Sequence, residues 1–171
     1  MNILKNFIKE LQKPMREQNP PCEPQKQIDT TSKIQNHKVT GVTHYKENIL
    51  SLASVNPQYS LTKKEFAAAK LYNTKVYEYN FKTEKTELIP EPTNPSDSNA
   101  IKVMIDGKHV GYIKKGSCKQ ILNLLKESRI RSINSQIVGG KYKVLWYDKG
   151  EGIVSFDQEQ TEYGIIISII E

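Results

Sequence analysis

The chain has 171 residues and a formal net charge of +6, and 37% of its residues are hydrophobic. This length is enough for one hydrophobic core of ordinary size and is short for two, so we expect a single globular domain with additional segments at its ends. The moderate positive charge suits an anionic partner, although many basic proteins bind none. No apolar run is long enough to span a bilayer and no secretory signal is evident, which predicts a cytoplasmic protein that does not contact membranes.

The cysteines and histidines do not have the spacing of a metal site. Cys22 and Cys118 lie far apart in the sequence and form no close pair of ligands. A structural zinc site needs four ligands, commonly with its cysteines in close pairs, and the three histidines do not complete such a set. We therefore expect no bound metal and no cofactor.

The first 33 residues divide into an amphipathic segment and a polar linker. Apolar residues recur at helical spacing in residues 2–12, which predicts a short amphipathic helix. Its apolar face could meet a membrane surface, a partner or the domain itself, and docking on its own or another copy's domain is favoured because its polar face carries few lysines. Residues 12–33 are rich in Pro, Gln, Lys and Thr, which predicts a linker without fixed structure. The folded domain is expected over residues 34–171.

The domain is predicted to begin with one strand and two helices. Residues 38–45 alternate as a half-buried strand does. A short helix is predicted over residues 47–53, and the capping-box pair Thr62 and Glu65 introduces a second one. The two helices, at about residues 47–72, are interpreted as an insertion that packs on the outside of a barrel.

Strand patterns dominate the middle of the chain. Residues 75–89 alternate as a long strand. Residues 100–113 predict a β-hairpin whose turn is Asp106-Gly107. A helix is predicted over residues 118–127 with Ser117 as its N-cap.

The end of the chain is predicted to be a hairpin, a loop and a last strand. Residues 130–138 and 141–147 are predicted strands joined by a turn at Gly139-Gly140. An acidic loop over residues 148–162 precedes a final apolar strand over residues 163–170. Together these patterns predict an α+β, mostly β fold, a small antiparallel barrel of about six strands with peripheral helices.

Residues 90–98, called the signature loop below, are polar and contain three prolines, a density that excludes a regular helix. The loop leads straight into the predicted hairpin, so Asp97 and the adjacent Asn99 are held in a fixed geometry. Their side chains either cap the turn through local hydrogen bonds or are placed to bind a ligand.

A basic pair, Lys114 and Lys115, precedes the predicted helix. Unpaired helix amides together with cationic side chains bind phosphate well. We therefore hypothesise that Lys115, Gly116 and Ser117 hold a backbone phosphate, the alternative being a solvated lysine pair.

Several segments resemble the HIRAN domain family. Residues 90–92 (PEP), 94–103 (NPSDSNAIKV) and 110–113 (VGYI) are similar to its core signature, and residues 38–43 (KVTGVT) resemble its first strand. The resemblance implies that the folded domain is HIRAN-like, with an SH3- or OB-like small barrel. The family occurs in chromatin-remodelling-type DNA repair helicases and as small free-standing bacterial and phage proteins, and this chain resembles the free-standing kind.

The resemblance also implies a ligand. In characterised family members the domain binds single-stranded DNA at its 3′ end, and an acid in the loop accepts a hydrogen bond from the terminal 3′-hydroxyl. Asp97 occupies that position, and Lys115 matches a lysine implicated in phosphate contact. A carboxylate accepts a hydrogen bond from a hydroxyl but repels a phosphate, so Asp97 would select free 3′-hydroxyl ends.

The aromatic positions depart from the family pattern. The position before the acid, a tyrosine in eukaryotic members, is Ser96, and Thr43-His44 replaces an Arg-Tyr pair after the first strand. Base stacking would therefore come from His44, Tyr45 or Tyr112, although tyrosines on a barrel rim are also common without any such role. The expected DNA-binding residues are Thr43, His44, Tyr45, Ser96, Asp97, Asn99, Tyr112, Lys115, Gly116 and Ser117.

These features favour a non-catalytic module that recognises single-stranded DNA at a free 3′-hydroxyl end in DNA repair or replication. One alternative is an adaptor tethered by its N-terminal segment to a replication or repair protein. A less favoured one is a nuclease in which Glu91 and Asp97 hold Mg²⁺, since no third acid or general base is evident nearby. No glycine-rich nucleotide-binding loop is present in the sequence.

Overall fold

The computed structural model describes residues 32–171, so the helix predicted at residues 2–12 and nearly all of the predicted linker lie outside the described residues. The strands of the described part are β1 (Ile34–Thr40), β2 (Ala53–Val55), β3 (Val76–Tyr77), β4 (Tyr79–Phe81), β5 (Thr86–Pro90), β6 (Ile101–Ile105), β7 (Lys108–Ile113), β8 (Ser132–Asp148) and β9 (Gly152–Ile170). Its α-helices are α1 (Lys46–Leu50), α2 (Lys63–Ala68) and α3 (Lys115–Lys126), and its 3₁₀ turns are Val42–Tyr45 and Pro57–Ser60. No helix among these residues is long and apolar enough to cross a bilayer.

Seven strands form one antiparallel sheet in the order β3-β8-β9-β1-β7-β6-β5, and β2 pairs separately with β4. The edge of β5 meets β8 through side chains, because the hydroxyl of Thr86 donates to the hydroxyl of Ser135 at 2.8 Å. Thr83, just before β5, donates to the carbonyl oxygen of Ser135 at 2.9 Å. Six strands, β8, β9, β1, β7, β6 and β5, thus curl into a small barrel closed by hydroxyl contacts. The predicted mostly antiparallel β fold is confirmed.

The core fills the inside of this barrel with alternating aliphatic residues. Ile101, Val103 and Ile105 of β6 are fully buried, whereas the residues between them are half-buried. Helix α3 adds Ile121 and Leu124 to the same cluster. Full burial of one such side chain contributes about 1.5–3 kcal/mol to stability. Burial of the apolar residues that alternate along the strands is therefore a main source of the fold's stability.

The predicted hairpin of β6 and β7 is confirmed. Asp106 and Gly107 have φ values of 46° and 76°, the left-handed pair that a two-residue hairpin turn of type I′ requires. The carboxylate of Asp106 also accepts hydrogen bonds from the backbone amides of Lys85 at 2.6 Å and Glu84 at 3.2 Å. The turn therefore also anchors the segment that leads into β5.

The predicted turn at Gly139-Gly140 is wrong, because both glycines lie within β8, which continues beyond them to Asp148. Their φ values are 94° and 98°, and the pairing of β8 with β9 shifts register here. A Cβ atom on Gly139 would lie 2.1 Å from the carbonyl oxygen of Glu162. The glycines thus permit a bulge and a close strand approach rather than a chain reversal. The predicted acidic loop over residues 148–162 is also wrong, since most of it forms the first half of β9.

Two other predicted strands are shorter than expected. The strand predicted over residues 38–45 ends at Thr40, because Gly41 has a φ of 76° and turns the chain into a 3₁₀ segment. The strand predicted over residues 75–89 is divided into three. β3 pairs with β8, β4 with β2 and β5 with β6, so the three pieces satisfy three different neighbours.

The predicted helices of the insertion are present but short. The capping box of α2 is confirmed, since the Glu65 carboxylate accepts hydrogen bonds from the amide and the hydroxyl of Thr62, both at 2.7 Å. α2 ends at Ala68 rather than near residue 72, because Lys70 adopts a left-handed φ of 55°. α1 ends at Leu50, and Ala53 already belongs to β2.

Candidate functional site

A groove of about 310 Å³ opens where the signature loop meets β1, β7 and α3. Its lining residues are Thr40, Asn94, Ser96, Asp97, Ala100, Tyr112, Ile113, Lys115 and Cys118. Four predicted site residues, Ser96, Asp97, Tyr112 and Lys115, are therefore brought together although they come from separate elements. A larger cavity of about 400 Å³, lined mainly by residues around β3, β4 and β8, contains none of the predicted site residues.

The signature loop is held by the side chain of Asn94. Its Oδ1 atom accepts hydrogen bonds from the backbone amides of Ser96 at 3.0 Å and Asp97 at 3.2 Å. Its Nδ2 atom donates to Oε2 of Glu91 at 2.8 Å. A backbone bond from the amide of Ala100 to the carbonyl oxygen of Asp97, 2.9 Å long, closes the loop. These bonds fix the loop without regular secondary structure.

Asp97 caps the turn and also faces the groove. Its Oδ1 atom accepts a hydrogen bond from the backbone amide of Asn99 at 2.9 Å, which is the local cap considered as one alternative. Its Oδ2 atom has no hydrogen-bond partner among residues 32–171, and the residue is one of those that line the groove. Asn99 contributes its backbone amide to this cap and does not line the groove.

Tyr112 and Glu91 form a fixed pair beside Asp97. The Tyr112 hydroxyl donates to Oε2 of Glu91 at 2.9 Å, and Oε1 of Glu91 pairs with Nζ of Lys102 at 2.9 Å. Hydrogen bonds from Asn94, Lys102 and Tyr112 lower the pKa of Glu91 to about 2, so it is ionised at neutral pH. Burial and the bond to Glu91 raise the pKa of Tyr112 to about 12. Tyr112 thus lines the groove with its hydroxyl already bound to Glu91.

An aromatic cluster of Tyr45, His109 and Tyr112 stands beside the groove. The ring centroids of Tyr45 and His109 are 4.0 Å apart, and the His109 and Tyr112 rings meet edge to face at 4.9 Å. Nε2 of His109 lies 3.1 Å from the carbonyl oxygen of Gly111. Burial is the main cause that lowers the pKa of His109, which favours the neutral ring at pH 7. The cluster supports the orientation of the Tyr112 ring.

Thr43 and His44 lie on the exposed side of the 3₁₀ turn Val42–Tyr45 and do not line the groove. Thr43 instead lines a separate cavity of about 190 Å³ together with Lys46 and residues of β9. Of the predicted site residues Thr43, His44 and Tyr45, only Tyr45 packs near the Tyr112 ring, at a centroid distance of 6.4 Å.

Helix α3 begins at Lys115, three residues earlier than predicted, and Lys114 is its N-cap residue. The predicted N-cap role of Ser117 is wrong, because Ser117 lies in the first turn and its amide donates to the carbonyl oxygen of Lys114 at 2.8 Å. Lys115 and Gly116 are therefore the first helical residues, whose amides have no intrahelical acceptor. The earlier start places the Lys115 side chain at the groove, while Gly116 and Ser117 do not line it.

The structure adds Glu91, Asn94 and His109 to the residues that build this site. Glu91 and Asn94 belong to the segments that carry the family resemblance, a signal that marks the segments but not the contacts of these two side chains. His109 had no such signal. Glu91 is already bonded to three donors, which leaves it unsuited to the metal-binding pair considered with Asp97. No group of three or more His, Cys, Asp or Glu side chains within residues 32–171 is placed to hold a metal ion.

Comparison with known proteins supports the resemblance. The family model of the HIRAN domain matches residues 62–154, which include the signature loop, the β6–β7 hairpin and α3 and leave out β1. No curated protein sequence matches the chain significantly. Among solved structures, the HIRAN domain of human HLTF is similar at 17% sequence identity, with a TM-score of 0.35, covering 83% of this chain and 81% of that one. Because the family model matches more than half of its residues, the chain belongs to the HIRAN domain family.

Proposed function

We propose that the groove binds single-stranded DNA at a free 3′-hydroxyl end, and that the chain is a non-catalytic module used in DNA repair or replication. Membership of the HIRAN family implies a DNA-binding module. The observation that carries the finer proposal is the placement of Asp97, Tyr112 and Lys115 around one groove. These three side chains supply a hydrogen-bond acceptor, an aromatic ring and a cation within one cavity.

Each of the three matches one part of a DNA end. The unpartnered Oδ2 of Asp97 accepts a hydrogen bond from a 3′-hydroxyl, whereas a terminal phosphate brings further negative charge against the carboxylate. The Tyr112 ring takes a stacked base, a contact worth about 1–3 kcal/mol. The Lys115 side chain, at the start of α3, holds the preceding phosphodiester. Single-stranded ends fit better than duplexes because an unpaired terminal base is free to stack.

The direct test is fluorescence-anisotropy binding of a short single-stranded DNA ending in a 3′-hydroxyl, compared with the same strand ending in a 3′-phosphate. We expect about tenfold tighter binding of the hydroxyl end, since a hydrogen bond to a charged group contributes about 1.5–3 kcal/mol. Both affinities should fall as salt rises. Equal binding of the two strands would contradict end recognition and leave a general DNA-binding module.

Lys115→Glu should weaken binding of both strands and flatten the salt dependence. The loss of one phosphate contact on a single strand reduces the slope of log affinity against log salt by about 0.7. Lys126→Glu is the matched control, because it makes the same charge change in the exposed last turn of the same helix. If both variants lost affinity equally, net charge rather than a contact at the groove would be responsible.

An adaptor is the second candidate function. Four large apolar side chains near the tip of the β8–β9 hairpin are exposed, namely Trp146, Tyr147, Ile153 and Val154. Exposed apolar groups that lie together often mark protein contacts. Failure of both DNA strands to bind in the anisotropy experiment would favour this candidate.

A further inference from the structure

We propose that Glu91 is a positioning residue of the groove, which sets the discrimination between 3′ ends without touching the DNA. Its carboxylate holds the acceptor loop and the stacking ring in one arrangement and neutralises a lysine that would otherwise attract a terminal phosphate. This inference rests on the function proposed above.

The position of Glu91 is fixed from four directions. Its backbone amide donates to the carbonyl oxygen of Ala100 at 2.8 Å, across the base of the signature loop. Its carboxylate receives Asn94 from the loop, Tyr112 from β7 and Lys102 from β6, at 2.8–2.9 Å. One side chain thus joins three separate elements at the edge of the groove.

A continuous chain of hydrogen bonds leads from Glu91 to the acceptor of the proposed ligand. Glu91 binds the amide group of Asn94, and the carbonyl oxygen of the same amide binds the backbone amide of Asp97. The second branch holds the Tyr112 hydroxyl and with it the ring. Removing the carboxylate would therefore loosen the acceptor and the ring together.

The charge of Glu91 has a separate effect. Among the residues that the structure describes, those lining the groove include one cation, Lys115. Lys102 lies directly opposite Tyr112 in the sheet but is paired with Glu91, and the two side chains are only 29% and 25% exposed. Without Glu91, Lys102 would present a second positive charge beside the groove. That charge would favour a strand that ends in phosphate.

These two effects predict opposite changes for the two strands in Glu91→Gln. The affinity for the 3′-hydroxyl strand should fall about tenfold, because the network loses its charge-assisted bonds. The affinity for the 3′-phosphate strand should rise, because Lys102 is released. A loss of folding would instead lower both affinities, so the rise identifies the proposed role. Adding Lys102→Gln to Glu91→Gln should abolish the rise.

Glu87→Gln is the matched control, because Glu87 lies on β5 and pairs with Lys85 at 2.9 Å, away from the groove. It should bind both strands like the unmutated protein, and thermal unfolding should confirm that the variants are folded. If the unmutated protein discriminates and Glu91→Gln discriminates equally well, the inference is overturned while the proposed function stands. An equal loss for both strands would also overturn the inference. Equal binding of both strands by the unmutated protein would overturn the proposed function and this inference with it.

Discussion

Gly111→Ala should destabilise the fold by about 3 kcal/mol, because it adds both backbone strain and an overlap between strands. The φ of Gly111 is 144°, a value that residues with a Cβ atom rarely adopt. The added Cβ would lie 2.5 Å from the carbonyl oxygen of Thr40 and 2.6 Å from Cγ1 of Val39. β1 and β7 would have to separate at the groove. The measurement is the urea midpoint of unfolding, with the slope checked for constancy.

Gly116→Ala is the matched control for this change. Gly116 lies in the first turn of α3, and no heavy atom is within 4 Å of the position that its Cβ would take. Alanine has a higher helix propensity than glycine, so we expect a stabilisation of about 0.5–1 kcal/mol. The same substitution five residues apart should thus have opposite signs. Equal destabilisation by both would refute the strand-contact explanation.

Asp97→Asn should remove most of the preference for a free 3′-hydroxyl. Asparagine keeps an oxygen that can accept the bond from the Asn99 amide, so the turn is preserved while the negative charge is lost. Hydrogen bonds to charged groups contribute about 1.5–3 kcal/mol and neutral ones about 0.5–1.5, so affinity for the hydroxyl end should fall about tenfold. Affinity for the phosphate end should rise because the repulsion is gone. Anisotropy with the two strands measures both changes.

Asp106→Asn provides the control for Asp97→Asn. Asp106 also accepts hydrogen bonds from two backbone amides, and it lies in the β6–β7 turn rather than in the groove. The substitution Asp106→Asn removes the same negative charge, and asparagine tolerates the φ of 46° at this position. The preference between the two DNA ends should survive in this variant. A preference that also survives in Asp97→Asn would show that another group reads the end.

The sequence predicted correctly those parts of the fold that depend on residues close together in the chain. The Asp106-Gly107 turn needs two left-handed residues in succession, and the Thr62–Glu65 capping box is complete within four residues. The alternation of β6 identifies its buried face without reference to its neighbours. The mostly β fold followed from such patterns and from the family resemblance. The resemblance also singled out Asp97, Tyr112 and Lys115 as candidate site residues, and the structure places all three around one groove.

The errors arise where tertiary contacts decide between two local possibilities. Two adjacent glycines suit a hairpin turn and a bulge equally well, and the approach of β9 at Glu162 is what selects the bulge at Gly139. Residues 75–89 were predicted as one strand, because the alternation of apolar and polar residues does not reveal that β3, β4 and β5 pair with different neighbours. The Glu91 network was missed for the same reason, since Tyr112 and Lys102 reach Glu91 only after the hairpin has paired with β5.

The position of β1 has a consequence for how the site comes into existence. β5, β6 and β7 pair with close neighbours in sequence, as do β8 and β9, whereas β1 pairs Ile34 with Ile170 and Val39 with Ile113. Closing such long stretches of chain costs the most entropy and is slow. We therefore expect the three-stranded β5–β6–β7 unit and the β8–β9 hairpin to form first and β1 to join them last. Thr40, at the end of β1, is one wall of the groove, so the chain acquires its binding competence in the same folding event that makes its sheet continuous.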